Sequence, residues 1–198
     1  MKTDYSFHSQ DELTISLHSI GISTWNQLTT YISKLPYGRN ENREDVSLVL
    51  SEKKGTCSSK HALLKELADF NNVPDVKLIL GIYKMNRANT PGIGAALEDH
   101  SIPYIPEAHC YLKVKGNRFD FTSKSSNLKL IEKDILKELE ISPDQAALFK
   151  ISYHKSFIKE WLEETKFDFA FDDIWRVREE CIHALTRWGC QKDPIADF

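Results

Sequence analysis

From Val76 to Tyr83 the chain is apolar at nearly every position, broken by Lys77. A strand with one wet face alternates between apolar and polar residues. A near-continuous apolar run of this length reads instead as a central strand covered on both faces. Such a strand needs layers packed above and below it, and the flanking sequence supplies helices. Gly55-Thr56-Cys57-Ser58 reads as the entry to a helix that ends near Phe70, with Leu63, Leu64, Leu67 and Phe70 on its apolar face. Asn71-Asn72-Val73-Pro74 closes it, because Asn tolerates a left-handed cap and Pro cannot continue a helix. Two more strands, at about 108–114 and 117–122, are joined by a tight turn at Lys115-Gly116-Asn117. The expected class is α+β, with the Cys57 helix packed on a small antiparallel sheet.

The rest of the chain is organised around this centre. Asp11 to Ile20 reads as a weak helix closed by Gly21. Ser23 or Thr24 caps a second helix running to about Leu35, with Trp25, Leu28 and Ile32 on one face. Pro36, Gly38 and Asn40 then make a loop, and a short helix covers Asp45 to Leu50. Residues 86–106 read as a long loop rich in Pro and Gly, a length that in a compact domain marks a functional or mobile segment. After 125 the pattern is helical. Its strongest helix runs from Asp172 to Trp188, where Ile174, Trp175, Cys181, Ile182, Leu185 and Trp188 form a core stripe. We expect one domain over 1–198, with N-terminal helices in 1–50, a core in 50–124 and a C-terminal helical extension in 125–198.

Composition excludes several classes. A formal net charge of -3 with interspersed Lys and Glu gives no basic footprint for nucleic acid. No stretch approaches the ~20 apolar residues of a membrane helix. The start, Met1-Lys2-Thr3-Asp4-Tyr5, lacks the apolar core of a signal peptide. A chain of 198 residues can bury a core without disulfides, so Cys57, Cys110, Cys181 and Cys190 are expected as reduced thiols in a cytoplasmic protein. No motif calls for a cofactor.

The chemistry converges on Cys57. A thiol attacks as its thiolate, and a helix start favours an anion through its backbone N–H groups and partial positive charge. Those N–H groups can also receive the oxyanion of a tetrahedral intermediate. His109, on the next-to-last strand, is the natural base, and Asp120, on the strand after it, can orient the imidazole. This depends on register. If Lys115-Gly116 is a two-residue turn, Tyr111 lies opposite Asp120, and His109 is diagonal to Asp120 on one face. If the turn is Gly116-Asn117, the face is kept but Asp120 moves two residues farther away. A three-residue loop would put the two on opposite faces. Glu107, on the same strand face as His109, is the next candidate for the orienting acid. The side-chain oxyanion donor is open among Gln27, Tyr37 and Asn40, all upstream of Cys57.

These segments resemble the transglutaminase-like, papain-related superfamily. Gly55-Thr56-Cys57 followed by a helix, Asn72-Val73-Pro74 and a strand is similar to the nucleophile segment of that family. Glu107-Ala108-His109-Cys110-Tyr111, a hairpin and Arg118-Phe119-Asp120-Phe121-Thr122 are similar to its His and Asp strands. The resemblance covers about residues 50–124. It implies a Cys57-His109-Asp120 triad acting on an amide or ester carbonyl through a thioester, by hydrolysis or transamidation. It implies a peptide-like or amide small-molecule substrate or a protein partner.

Two other readings compete. A non-catalytic module could keep the fold for recognition, gripping a partner with the 86–106 loop and the C-terminal helices. A metal site could use Cys57 and His61, four apart on one helix face, with His109 and Cys110; no CxxC or HExxH pattern supports it. On the favoured reading His61 is a solvated helix residue, and Cys110 and Cys181 are core thiols.

Overall fold

The computed structural model describes residues 4–192, with side chains described as far as residue 187. The start at Met1-Lys2-Thr3 and the side chains of Trp188 and Cys190 therefore lie outside the described residues. In chain order the elements are α1 (Glu12–Ser19), α2 (Trp25–Lys34), α3 (Leu48–Ser51), α4 (Cys57–Phe70), β1 (Val76–Met85), α5 (Ala96–Asp99), β2 (Ile105–Val114), β3 (Asn117–Phe119), β4 (Ile135–Ile141), α6 (Leu148–Thr165) and α7 (Phe171–Lys192). The four strands form one antiparallel sheet in the order β3-β2-β1-β4. The class is α+β. β1 lies between two neighbours and is buried along its length except at Lys77 and Lys84, as its apolar run requires.

Local signals explain the helix boundaries. Asp11 caps α1, its carboxylate accepting the Thr14 amide at 2.9 Å. Thr24 caps α2 in the same way through Gln27. α4 opens with a reciprocal cap. The Ser59 amide donates to Thr56 Oγ1 at 3.3 Å, and the Thr56 amide donates to Ser59 Oγ at 3.0 Å. Such boxes satisfy two donors that the helix itself cannot. Past its C-terminus, Asn72 takes the left-handed conformation at φ 53°.

By backbone contacts the chain divides into two compact units. The first comprises Met1–Leu80, Cys110–Ser126 and Leu139–Ala147, the second Gly81–His109, Asn127–Glu138 and Leu148–Phe198. In the first, α4 is the central helix, packed by α1, α2, α3 and the turn at 144–146. Trp25, Leu28, Ile32, Leu63, Leu64 and Leu67 are completely buried there, each contributing about 1.5–3 kcal/mol of apolar burial. Phe70, expected on the apolar face of α4, is instead 42% exposed. It is the last helical residue and extends past the packed face. In the second unit α7 packs on α5 and α6, with Ile174, Cys181 and Ile182 buried as the helical stripe implies.

Two segments differ from expectation. The 125–198 stretch contributes a strand, β4, as well as helices. The 86–106 stretch is not a bare loop: it contains α5 and the start of β2. Asn89 organises its beginning, donating from Nδ2 to the Lys84 carbonyl at 2.7 Å and to Asp134 Oδ2 at 2.8 Å. None of the described helices is long and apolar enough to cross a membrane.

Candidate functional site

Cys57 is the first residue of α4 and is 6% exposed. The first intrahelical bond runs from the Lys60 amide to the Thr56 carbonyl at 3.0 Å. The amides of Cys57 and Ser58 therefore lie ahead of the intrahelical ladder, at the positive end of the helix. That is the placement a thiolate and an oxyanion both need. A glycine stands at 55 for a steric reason: a Cβ there would lie 2.9 Å from Lys60 Cγ and 3.0 Å from Ser59 Oγ. The chain before Cys57 thus lies directly against the first turn of its own helix.

The hairpin register resolves the choice left open by the sequence. Val114 pairs with Asn117, Lys113 with Arg118 and Leu112 with Phe119. Lys115 and Gly116 are the two turn residues, at φ 50° and 78°, the left-handed pair of a type I′ hairpin. The pairing ends at Leu112 and Phe119, so Asp120 is the first residue beyond β3. His109 precedes Tyr111 by two and so shares its face of β2.

The segment that follows β3 docks on the first turn of α4. The Phe121 amide donates to His61 Nε2 at 2.8 Å, and Lys60 Nζ donates to the Thr122 carbonyl at 2.6 Å. Asp120 Oδ1 lies 3.6 Å from His61 Nε2 and accepts the Thr122 amide at 2.9 Å. Asp120 is thereby carried to the helix turn that begins with Cys57.

His61 corrects an expectation. It is fully buried, not solvated. Its Nδ1 lies 2.7 Å from the Cys57 carbonyl and Nε2 accepts the Phe121 amide, which fixes the proton on Nδ1. With both nitrogens bonded to backbone, this ring is a brace, and it could bind a metal only by giving up one of those bonds. Among the described residues no group of three or more His, Cys, Asp or Glu side chains is placed to hold a metal ion. Lys60 is the residue that sequence reasoning missed. It is 0% exposed, with Nζ bonded to the Leu35 carbonyl at 2.5 Å as well as to Thr122. The one signal available was the glycine five residues earlier, which its stem makes necessary.

No protein-family model, no curated protein and no solved structure matches the chain. The geometry therefore stands by itself.

His109 is half-buried on β2, its ring edge-on to Tyr83 with centroids 6.4 Å apart. Glu107, the reserve acid, is committed elsewhere. Its two oxygens accept from Arg178 Nε at 2.8 Å and Nη2 at 2.6 Å. The Arg178 guanidinium lies over the Trp175 ring at 5.2 Å. Burial alone would push the Glu107 carboxyl up; the guanidinium outweighs it and holds the group down at about 2. Cys110 and Cys181 are buried, as expected, and burial pushes the Cys181 thiol up to about 11.

Two of the three oxyanion candidates have structural employment. Gln27 is exposed, and its Oε1 accepts the Ser23 amide at 2.9 Å, which caps α2. Asn40 Nδ2 donates to the Leu48 and Lys54 carbonyls and to Glu52 Oε2 at 3.1–3.3 Å, bracing the loop between α2 and α4. Tyr37 is placed differently. It forms a parallel bridge with Gly55, flanked by bonds from the Gly38 amide to the Gly55 carbonyl and from the Gly55 amide to the Pro36 carbonyl, both 3.2 Å. Its backbone thus runs beside the residues that lead into Cys57.

Proposed function

We propose that this chain is a cysteine-nucleophile enzyme of transglutaminase-like type, acting on an amide or ester carbonyl, with Cys57, His109 and Asp120 as its triad. The observation that supports it most is the docking of the Asp120–Thr122 segment on the first turn of α4, with Cys57 heading that turn. In the proposed reaction the Cys57 thiolate attacks the carbonyl carbon, forming a C–S bond. The amides of the helix start receive the negative oxygen. As the intermediate collapses, the C–N or C–O bond breaks and His109 gives its proton to the leaving amine or alcohol. The thioester is then attacked by water, for hydrolysis, or by an amine, for transamidation. His109 takes up the proton of the attacking group and the thiol is released. Asp120 orients the imidazole. A peptide-like or amide compound is the substrate class, no cofactor is required, and a reducing, cytoplasmic setting would keep Cys57 active.

The burial of Cys57 favours a second reading, in which the fold is kept for binding and the thiol is inert. Thiol reactivity separates the two. An activated Cys57 alkylates with iodoacetamide well below the ordinary thiol pKa of about 8.5, and a structural one does not. If Cys57 proves silent until that range, the enzyme reading fails and the binding module stands.

A further inference from the structure

Lysine is almost never fully buried without strong partners, because removing an ammonium from water costs several kcal/mol. Lys60 is nonetheless 0% exposed. Its position is defined by two main-chain carbonyls from distant parts of the sequence, Leu35 at 2.5 Å and Thr122 at 2.6 Å. Leu35 is the residue before Pro36-Tyr37, the stretch paired with Gly55. Thr122 is two residues after Asp120. The ammonium therefore ties both flanking segments to the helix turn that Cys57 begins. An apolar side chain of similar length could fill the same volume without the desolvation cost, and such replacements of buried charges are often neutral or stabilising. Stability is thus a poor reason for a cation here.

Its neighbours show how closely the first turn is built around it. The Lys60 stem passes Gly55 so closely that even a methyl at 55 would meet Cγ at 2.9 Å. Lys60 follows Cys57 by three residues, and helix residues so spaced have Cβ atoms about 5–6 Å apart. A positive charge held out of water acts on a thiolate of the same helix turn more strongly than a solvated one does.

We infer that Lys60 is a positioning residue for the Cys57 site: its buried ammonium holds the Asp120–Thr122 segment against the first turn of α4 and supplies a fixed positive charge that favours the Cys57 thiolate. This rests on the reading of Cys57 as a nucleophile.

The test uses the full chain with Cys190→Ser, so that a thiol whose side chain lies outside the described residues adds no signal. The rate of iodoacetamide alkylation is followed against pH for this protein and for Lys60→Met, with circular dichroism to confirm folding. A low midpoint in the parent and an upward shift of about one to two pH units in Lys60→Met support the inference. A low midpoint in both overturns it and leaves the nucleophile standing; a lower melting temperature alone would mark Lys60 as merely structural. An ordinary midpoint in the parent removes the nucleophile and the inference with it. A second measurement does not depend on the variant folding. Electrostatic coupling is reciprocal, so in ¹⁵N-lysine-labelled protein the Lys60 Nζ resonance should shift with the same midpoint as the thiol. Cys57→Ser should abolish that step, which distinguishes the thiol from His61 on the same turn and from Asp120 docked beside it. A resonance that stays flat across the thiol titration overturns the inference.

Discussion

His61 Nε2 lies 3.6 Å from Asp120 Oδ1, yet it accepts the Phe121 amide rather than pairing with the carboxylate. The nearest imidazole to Asp120 in the first unit is thus engaged by backbone at both nitrogens, Nδ1 being 2.7 Å from the Cys57 carbonyl. A general base must take up and release a proton at a nitrogen that can face the nucleophile. His61 is placed to hold the Phe121 segment instead.

That assignment separates two histidines experimentally. His61→Ala leaves the half-buried Phe121 amide without its acceptor, which costs about 1 kcal/mol or more. It should lower the urea midpoint while Cys57 keeps its alkylation midpoint. His109→Asn should do the reverse, sparing stability and raising the alkylation midpoint towards the ordinary thiol value. An exchange of these two phenotypes would make His61 the base.

Asp120→Asn keeps the shape of the side chain but removes its charge. If Asp120 supports an imidazolium beside the Cys57 thiolate, the substitution should raise the Cys57 midpoint by about one pH unit or more. The substituted amide can still accept the Thr122 amide through its carbonyl oxygen, so thermal stability should change little. Identical alkylation profiles in the parent and Asp120→Asn would exclude Asp120 as the third member.

What the sequence made legible was local. The start of α4 followed from Gly55-Thr56 and the apolar stripe after them. The hairpin was legible as Lys115-Gly116-Asn117, although its register needed the observed pairs. β1 was legible because burial on both faces leaves a near-continuous apolar run. β4 was not. Ile135–Ile141 is built largely of Leu, Lys and Glu, which favour helices. As the last strand in the sheet it keeps most side chains half-buried or exposed, so it needs no apolar alternation, and charged residues suit an edge. The burial of Lys60 and His61 was equally hidden. Their partners, Thr122 and Phe121, are some sixty residues away, and nothing in the local pattern of α4 announces them. Glu107 misled for the same reason, since Arg178 lies 71 residues on.

The β2–β3 turn offers a test of register that leaves the site chemistry alone. Lys115 adopts φ 50° and Gly116 φ 78°, and a Cβ at Gly116 would meet nothing within 4 Å. Gly116→Ala should therefore cost only the left-handed backbone penalty, about 1–2 kcal/mol. Lys115→Asn should raise stability by a few tenths to about 1 kcal/mol, because Asn-Gly is the preferred type I′ pair. Both are read from denaturant midpoints at constant m-value. A Gly116→Ala loss well above that range would contradict the open surroundings of the turn.

The second unit should set the acid limit of the protein, through Glu107, Arg178 and His154. His154 is buried, its Nε2 lies 2.7 Å from the Pro106 carbonyl and 3.9 Å from Glu107 Oε2, and burial lowers its pKa from the ordinary 6.5, with Arg178 adding to that and Glu107 opposing it. Below about pH 6.5 the unfolded chain protonates this histidine more readily than the folded one, so stability is full above that value and falls as pH drops. Glu107 acts lower down. Its carboxyl is held at about 2 against an ordinary 4.5, so its contribution is full above about pH 4.5 and is lost as pH falls towards 2. Stability plotted against pH should show two successive losses, and His154→Gln should remove the upper one. At neutral pH, Arg178→Met should cost about 3–5 kcal/mol, because it strands a buried carboxylate. Adding Glu107→Gln to that variant should restore a large part of the loss, since the stranded charge is then gone. If the double variant is no more stable than Arg178→Met alone, the pair is not the charge-compensated unit that its bidentate geometry describes.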